Sequence, residues 1–221
     1  MASRSDLPGG DQVGQLETLE TAARLAGVDE PRVLDAIRSV PRAALVPADQ
    51  VEFAYDDAPV PIPHDQVTTQ PSLSARMVQA LRLTGTEQVL EVGTGYGYQT
   101  ALLARLASFV TSIERWPDLA EQARHNLAAQ DIENVHVVDG DGTKGVPAGA
   151  PYDAILVSAA FPQVPEPLVN QLRIGGCVVQ PIGPGGTERV TVFERSAEGL
   201  VSRGVVCHAR FVQLYGRHGY P

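Results

Sequence analysis

The sequence is poor in cysteine, with only Cys177 and Cys207 among its 221 residues. Two cysteines are too few for the disulfide framework of a small secreted domain, and their separation does not match metal-ligand spacing. No grouping of His, Cys and carboxylate residues elsewhere in the sequence has such spacing either. We therefore expect two reduced thiols in the core and no metal site.

Positive charge is also scarce. The 17 Lys and Arg residues are outnumbered by 26 Asp and Glu residues, which gives a net charge of -9 at pH 7. Proteins that bind nucleic acid use a basic surface to displace counterions from the phosphates. The charge balance therefore argues against a nucleic-acid partner.

Long apolar runs are absent as well. No stretch approaches the roughly 18 uninterrupted apolar residues of a membrane span. Residues 1–10 lack the cationic segment and apolar run of a secretory signal. The sequence thus predicts no membrane partner and a cytoplasmic location. With 43% hydrophobic residues, the chain still has enough apolar material for a substantial core.

The length fits one compact domain with short extensions. Small and polar residues at 1–12 predict a disordered start. Apolar residues recur at helical spacing from 13 to 26, and a second helix is expected from 29 to 40. Residues 54–71 are rich in Pro, Asp and Gln, which predicts an irregular segment. An irregular segment of this length in a compact protein is usually functional.

From residue 72 onward, apolar strands alternate with helices. Strands are predicted at 88–92, 109–113, 135–138 and 152–158, and helices at 72–83, 98–107, 117–130 and 165–171. Further strands at 177–181, 190–195 and 209–214 follow one another through turns. Alternation of this kind indicates right-handed βαβ units. The sequence therefore predicts an α/β fold, a Rossmann-like doubly wound sheet with antiparallel edge strands and an N-terminal helical extension.

A glycine-rich turn follows the first of these strands, in the segment Glu91-Val-Gly93-Thr94-Gly95-Tyr-Gly97. Glycines let the backbone turn tightly and let a ligand approach, at the strand end where α/β sheets bind ligands. A dinucleotide fingerprint needs a third glycine at position 98, where this chain has tyrosine. Glu91 is unfavourable beside a pyrophosphate but suits a ligand with an amine or sulfonium cation. A purely structural turn is the alternative.

Acidic residues also end the next two strands. Glu114 lies about 20 residues beyond the glycines, where an acid can accept both hydroxyls of a ribose. Asp141 and Gly142 follow the third strand, and Asp141 is suited to accept an adenine amino proton. A solvated helix start and an ordinary Asp-Gly turn are the plain alternatives. Together these positions predict an S-adenosylmethionine pocket, with Glu91 near the methionine end. The expected cofactor-binding residues are Glu91, Gly93, Thr94, Gly95, Gly97, Glu114, Asp141 and Gly142.

Further motifs along the chain match one methyltransferase family. They are Val40-Pro-Arg42, Val46-Pro47, Pro59-Val-Pro61-Ile62, Gln66-Val-Thr-Thr69-Gln-Pro71, Pro151-Tyr-Asp153, Ala159-Ala160, Val164-Pro165, Gln171-Leu172, Gly175-Gly176 and Arg210-Phe-Val212. With the glycine-rich segment and Gly140-Asp-Gly142, this pattern resembles the protein-L-isoaspartate (D-aspartate) O-methyltransferase family over about residues 30–214. The long Pro/Gln/Thr segment is the rarer feature, and it carries the isoaspartate assignment.

The resemblance implies methyl transfer from S-adenosylmethionine to the free carboxylate of L-isoaspartyl and D-aspartyl residues in damaged proteins or peptides. The methyl ester then closes to a succinimide, part of which hydrolyses to normal aspartate. Residues 72–221 would form the methyltransferase core, and residues 13–71 the helical cap and the substrate-binding segment. A monomeric enzyme is expected.

The resemblance also implies roles for residues of the substrate-binding segment. The family's active-site segment Gln-Thr-Ile-Ser falls on residues 66–69, so Thr69 takes the place of the serine and is the expected catalytic hydroxyl. Val67 replaces a threonine and loses a hydroxyl. Val67, Thr68 and Gln70 are expected to bind the substrate. His64-Asp65 replaces a family glycine, and this departure bears on substrate preference.

Three other functions stay open from the sequence. A peptide-tailoring relative would methylate an ordinary aspartate in one dedicated peptide so that it closes to an aspartimide, and the hydroxyl lost at Val67 keeps that function open. An NAD-dependent oxidoreductase is disfavoured by Tyr98 and Glu91. A ligand-binding module without catalysis is disfavoured by the intact pocket residues.

Overall fold

The computed structural model describes the backbone of residues 9–221 and the side chains from residue 14 onward. Helix α1 (Gly9–Leu25) starts four residues before the helix predicted from residue 13. The predicted disorder of residues 1–8 lies outside the described residues. Helix α2 (Pro31–Ser39) has proline in its first turn and is capped by the Glu30 carboxylate, which accepts from the Arg32 N–H.

A short hairpin and a short helix connect the N-terminal helices to the sheet. Strands β1 (Pro61–Ile62) and β2 (Gln66–Val67) pair antiparallel, and helix α3 (Pro71–Ala80) follows them. The hairpin turn contains two non-glycine residues with positive φ, His64 and Asp65. Apart from this hairpin and two 3₁₀ turns, the chain between α2 and α3 is irregular, as the sequence predicts.

One seven-stranded sheet forms the centre of the domain. Its strands are β3 (Gln88–Val92), β4 (Phe109–Glu114), β5 (Val135–Asp139), β6 (Tyr152–Val157), β7 (Leu172–Ile182), β8 (Glu188–Ser196) and β9 (Gly199–Ala209). The spatial order is β5-β4-β3-β6-β7-β8-β9. The five strands from β5 to β7 are parallel, and β8 and β9 are antiparallel. The predicted mixed α/β sheet is therefore confirmed.

The central strands are apolar because helices cover the sheet on both faces. Val89 packs into one core cluster with residues of α1, α2, α3, helix α4 (Tyr98–Ala104) and helix α5 (Pro117–Ala128). Leu90 and Val92 face a second cluster that includes Leu168 of helix α6 (Glu166–Gln171). A parallel strand buried on both faces reads as a continuous apolar run rather than an alternating one.

The strand order reverses at β3, which pairs with β4 on one side and with β6 on the other. Open α/β sheets bind ligands in the crevice at such a switch point, outside the carboxyl ends of the strands. The topology therefore brings Gly93, Glu114 and Ser158 to one edge of the sheet. Within residues 9–221, no helix is long and apolar enough to cross a membrane.

The last strand lies earlier in the chain than predicted. The structure places β9 at Gly199–Ala209, and the prediction of a strand at 209–214 is wrong. The apolar residues Val212 and Leu214 lie instead beside the loop that follows β6, where the Ala160 N–H donates to the Val212 carbonyl and the Ala160 carbonyl accepts from the Leu214 N–H. The edge strand β9 is mostly exposed and has no strong apolar pattern.

Gly176 tests the packing of the sheet. A Cβ at this buried position would lie 2.8 Å from the Asp153 carbonyl oxygen and 2.9 Å from that of Arg173, and both belong to backbone that cannot easily move. We expect Gly176→Ala to lower the free energy of unfolding by about 1–3 kcal/mol, measured by urea denaturation. Gly14→Ala, in open space on α1, is the control and is expected to be neutral or stabilising. A Gly176→Ala protein as stable as wild type would contradict this packing.

Candidate functional site

A cavity opens at the carboxyl ends of β3, β4 and β6, with the β1–β2 hairpin and the C-terminal segment as its other walls. Most of the residues predicted for the site line it together. They are Val67, Thr68, Thr69, Gly93, Thr94, Gly95, Glu114 and Gly142. Ser158, at the end of β6, lines the same cavity. The substrate-binding segment and the glycine-rich turn thus face one shared space.

Glu114 connects the floor of this cavity to the glycine-rich turn. Its carboxylate accepts from the Gly95 N–H at 2.8 Å and from the Trp116 N–H at 3.1 Å, and the residue is buried. Gly93, Gly95 and Gly97 all have positive φ, which a side chain would strain. Gly97 does not line the cavity; a Cβ there would lie 3.3 Å from the Leu127 side chain. Its role is therefore to start α4 close to α5.

Glu91 lies beneath the cavity and does not line it. Its carboxylate accepts from Thr100 Oγ1 at 2.5 Å, Ser112 Oγ at 2.7 Å and Gln99 Nε2 at 3.0 Å. Because the Ser112 proton is directed to Glu91, Thr94 Oγ1 donates to Ser112 Oγ at 2.6 Å. The sequence predicts Glu91 near the methionine end of the ligand; in the structure its carboxylate supports Gln99 and, through Ser112, Thr94, which do line the cavity.

Gln99 is the link between this buried network and the cavity. Its amide nitrogen donates to Glu91 and, at 2.7 Å, to Ser158 Oγ. The amide oxygen is buried without a partner among the described residues. Burial raises the pKa of Glu91 to about 7, against hydrogen bonds from Ser112, Thr100 and Gln99 that favour the ionised form.

Asp141 lies beside the cavity with its carboxylate turned toward the C-terminal segment. It accepts from the Thr143 N–H and hydroxyl at 3.0 and 2.6 Å and from the Arg217 N–H at 2.9 Å. Gly142, which follows it, lines the cavity, and a Cβ there would lie 2.5 Å from Val92 Cγ1. The Asp141 carboxylate thus bonds within its own loop and to the tail, and its adenine contact stays a prediction.

The substrate-binding segment presents Val67 and Thr69 to the cavity. Val67 is 47% exposed, whereas Thr68 is buried and its hydroxyl accepts from the Arg42 guanidinium and the Val60 N–H. Gln70 does not line the cavity, because its amide donates to Asp57 at 2.8 Å. The bonds that hold Thr68 and Gln70 leave the Thr69 hydroxyl unused.

Several residues that shape the cavity gave no sequence signal. The Arg115 guanidinium lies over the Trp116 ring at 5.3 Å and over the Tyr215 ring at 5.1 Å, and all three side chains line the cavity. His64 stacks on Trp116 with ring centroids 4.0 Å apart and bonds to Asp118 at 2.8 Å, which ties the hairpin to the start of α5. Tyr215 and His64 reach residues 115–118 from distant parts of the sequence, so no local pattern could reveal this arrangement.

The buried Glu91 carboxyl gives stability a specific pH dependence. Its folded-state pKa of about 7 exceeds the usual value of 4.5, so the folded protein retains a proton that the unfolded chain loses. The proton bound to Glu91 therefore contributes fully to the free energy of unfolding below pH 4.5, and this contribution is lost as the pH rises through 7. We expect wild type to lose about 3 kcal/mol of unfolding free energy over this range relative to Glu91→Gln. Urea denaturation at pH 5, 6, 7 and 8 measures the difference, and parallel profiles for the two proteins would contradict it.

Comparison with known proteins identifies the family to which this geometry corresponds. The family model described as protein-L-isoaspartate (D-aspartate) O-methyltransferase matches residues 16–219. A protein-L-isoaspartate O-methyltransferase of Methanoculleus marisnigri is 44% identical over 207 residues, 92% of each chain. Another, of Anaeromyxobacter dehalogenans, is 50% identical over 190 residues, 85% of this chain and 91% of its own.

Solved structures show the same architecture. A protein-L-isoaspartate O-methyltransferase matches with a TM-score of 0.81 and 29% identity, over 92% of this chain and 67% of its own. A Plasmodium falciparum protein described as a putative member of the same enzyme group, in complex with S-adenosyl-L-homocysteine, matches with a TM-score of 0.76 over 91% and 98% of the two chains, at 23% identity. The chain therefore belongs to the protein-L-isoaspartate (D-aspartate) O-methyltransferase family.

Proposed function

We propose that this protein transfers a methyl group from S-adenosylmethionine to the free carboxylate of L-isoaspartyl and D-aspartyl residues in damaged proteins or peptides. The observation that carries this proposal is the shared cavity, which is lined by the glycine-rich turn and Glu114 on one side and by Thr69 on the other. Family membership supports the same reaction. The ester formed would close to a succinimide and so begin repair of the main chain.

The cavity fits the proposed cofactor on the chemistry of its walls. Backbone at positive-φ glycines allows close approach, and the buried carboxylate of Glu114 suits ribose hydroxyls. The unpartnered amide oxygen of Gln99 is an acceptor suited to an ammonium group. When bound, S-adenosylmethionine supplies an electrophilic methyl group on a sulfonium. We assign cofactor binding to Gly93, Thr94, Gly95, Gln99, Glu114 and Gly142.

The remaining predicted cofactor residues would act from outside the cavity. Glu91 would hold Gln99 and Ser112 in place from below, Gly97 would allow α4 to start at the turn, and Asp141 would fix the loop that presents Gly142. Each contact positions a group that lines the cavity. These residues would therefore influence the cofactor indirectly.

The attacking group needs orientation rather than activation. A carboxylate with a pKa near 4 is already ionised at neutral pH, so no general base is required. Holding the two reactants in line can by itself supply several kcal/mol of the barrier. We assign this orientation to the Thr69 hydroxyl, with backbone N–H groups of residues 68–70 and the exposed side chain of Val67 as the substrate wall. A neutral donor holds the carboxylate without quenching its nucleophilicity.

We further propose that the protein acts as a monomer in the cytoplasm on damaged proteins and peptides. The residues assigned to cofactor and to substrate belong to the same protomer, so the proposed reaction does not require a second copy. The two free thiols, Cys177 and Cys207, suit a reducing compartment. Gel filtration with light scattering would test the oligomeric state, and a stable dimer would contradict this part of the proposal.

Glu114→Ala tests the cofactor side. Losing a buried carboxylate that both holds the Gly95 turn and accepts ribose hydroxyls should weaken binding by roughly 1.5–3 kcal/mol. Calorimetry with S-adenosylhomocysteine should therefore show a dissociation constant raised roughly 10- to 100-fold. Glu87→Ala is a matched control, because Glu87 caps the turn before β3 at the opposite end of the strand. An unchanged dissociation constant in Glu114→Ala would refute the assignment.

Thr69→Val tests the substrate side. The change is nearly isosteric and removes only the hydroxyl, so folding and cofactor binding should be unaffected. Turnover of an isoaspartyl peptide should fall about 10- to 1000-fold, because the hydroxyl orients the nucleophile. Thr69→Ser should retain most activity, and Thr18→Val on α1 serves as a control. Wild-type turnover in Thr69→Val would remove Thr69 from the mechanism.

A further inference from the structure

A buried cation with no assigned role lies behind the substrate-binding segment. Arg42 is fully buried in the 3₁₀ turn Arg42–Leu45, and burial lowers the pKa of its guanidinium. Its hydrogen bonds go to carbonyl and hydroxyl oxygens rather than to a carboxylate. A buried charge is costly unless such bonds compensate it, so this position requires a physical explanation.

The guanidinium holds four points of the irregular segment at once. Nη1 donates to the carbonyls of Ala54 and Asp56 at 2.9 and 3.1 Å, and Nη2 donates to the carbonyl of Ala58 at 3.0 Å and to Thr68 Oγ1 at 2.9 Å. Ala54 is buried, so its carbonyl needs a donor from within the protein, and the bonds to Asp56 and Ala58 draw two more exposed points of irregular backbone to the same guanidinium. The planar fork of arginine is the side chain that can serve several acceptors in fixed geometry.

Thr68 connects Arg42 to the β1–β2 hairpin. Its hydroxyl accepts from the Val60 N–H at 3.1 Å, and its own N–H donates to the Val60 carbonyl at 2.8 Å. These bonds fix Thr68 at the end of β2 with its side chain toward Arg42.

A second anchor lies immediately after Thr69. The Asp57 carboxylate accepts from the Gln70 amide at 2.8 Å, and from the Ser72 N–H and hydroxyl at 2.9 and 2.8 Å. Thr69 is therefore flanked by Thr68, held through Arg42, and by Gln70, held through Asp57. Its hydroxyl is left for the cavity because both neighbours are committed elsewhere.

We propose that Arg42 is a positioning residue for substrate, which acts through Thr68 to hold the Thr69 hydroxyl in the cavity. The inference rests on the proposed function and deepens it. Arg42 also lies 5.6 Å over the ring of Tyr98, at the first turn of α4, so the same side chain links the substrate segment to the cofactor loop.

The test compares Arg42→Met, Arg42→Lys, Thr68→Val and Thr68→Ser with wild type. For each protein, kcat and KM are measured with an isoaspartyl peptide, and the dissociation constant is measured with S-adenosylhomocysteine. We expect Arg42→Met to lower kcat/KM at least 100-fold and Thr68→Val about 10-fold, with cofactor affinity within about threefold of wild type. Thr68→Ser should restore activity because it restores the acceptor. Arg42→Lys should remain well below wild type, since an ammonium cannot bridge four acceptors.

Two further measurements separate positioning from general damage. Hydrogen exchange of residues 54–70 should accelerate in Arg42→Met and Thr68→Val while the strands of the sheet stay protected. The double variant Arg42→Met/Thr68→Val should have nearly the same kcat/KM as Arg42→Met alone, because the two residues act as one unit. Arg32→Met is the matched control, since Arg32 also donates to two main-chain carbonyls, of Leu83 and Leu106, away from the cavity.

The outcomes distinguish this inference from the proposed function. A wild-type protein without activity on the isoaspartyl peptide would contradict the proposed function, and the exchange data would then test the restraint alone. An active wild type with equally active Thr68→Val, or cofactor affinity that falls in step with kcat/KM, would overturn the positioning role. If Arg42→Met does not fold, the contrast between Thr68→Val and Thr68→Ser carries the test.

Discussion

Buried irregular backbone must find a hydrogen-bond partner for each polar group, and this requirement shapes the site of the protein. The segment between α2 and α3 contains one hairpin, whose two strands are only two residues long, yet the segment forms a wall of the cavity. Arg42 donates to three carbonyls and one hydroxyl of this segment. The Asp57 carboxylate accepts from the Ser72 N–H, where the segment enters α3. Two charged side chains thus replace the hydrogen bonds that a strand would have provided. The wall is rigid although it is not regular.

On the opposite wall of the cavity, acidic side chains fix the glycine-rich turn by accepting hydrogen bonds. Glu114 receives the N–H groups of Gly95 and Trp116, and Glu91 receives three side-chain donors from below. A turn of glycines has great freedom in the unfolded chain, so fixed partners are needed to preorganise it. Such preorganisation matters in a reaction in which the enzyme's contribution is orientation rather than proton transfer. Both walls are therefore held by ionisable side chains rather than by extended hydrogen-bond ladders.

The sequence was informative wherever burial left a local pattern. Strand β3 was predicted with its observed bounds because it is apolar on both faces, and Glu114 was found because it ends the next strand. Strand β9 was missed because an exposed edge carries little apolar signal, and the apolar residues Val212 and Leu214 line the cavity instead. Glu91 and Asp141 were placed in the correct region, but their orientation depends on partners such as Thr100 and Arg217. Arg42 was visible only as part of a motif, since its contacts reach 26 residues along the chain.

The central claim is that these two walls bring an isoaspartyl carboxylate and S-adenosylmethionine together in one cavity. The most direct measurement incubates the wild-type protein with methyl-labelled S-adenosylmethionine and two peptides that differ only in an isoaspartyl or an aspartyl residue. The account predicts label on the isoaspartyl peptide, followed by its release as the ester closes to the succinimide, and little label on the aspartyl peptide. Preferential labelling of the aspartyl peptide, or bound cofactor with no transfer to either peptide, would contradict it.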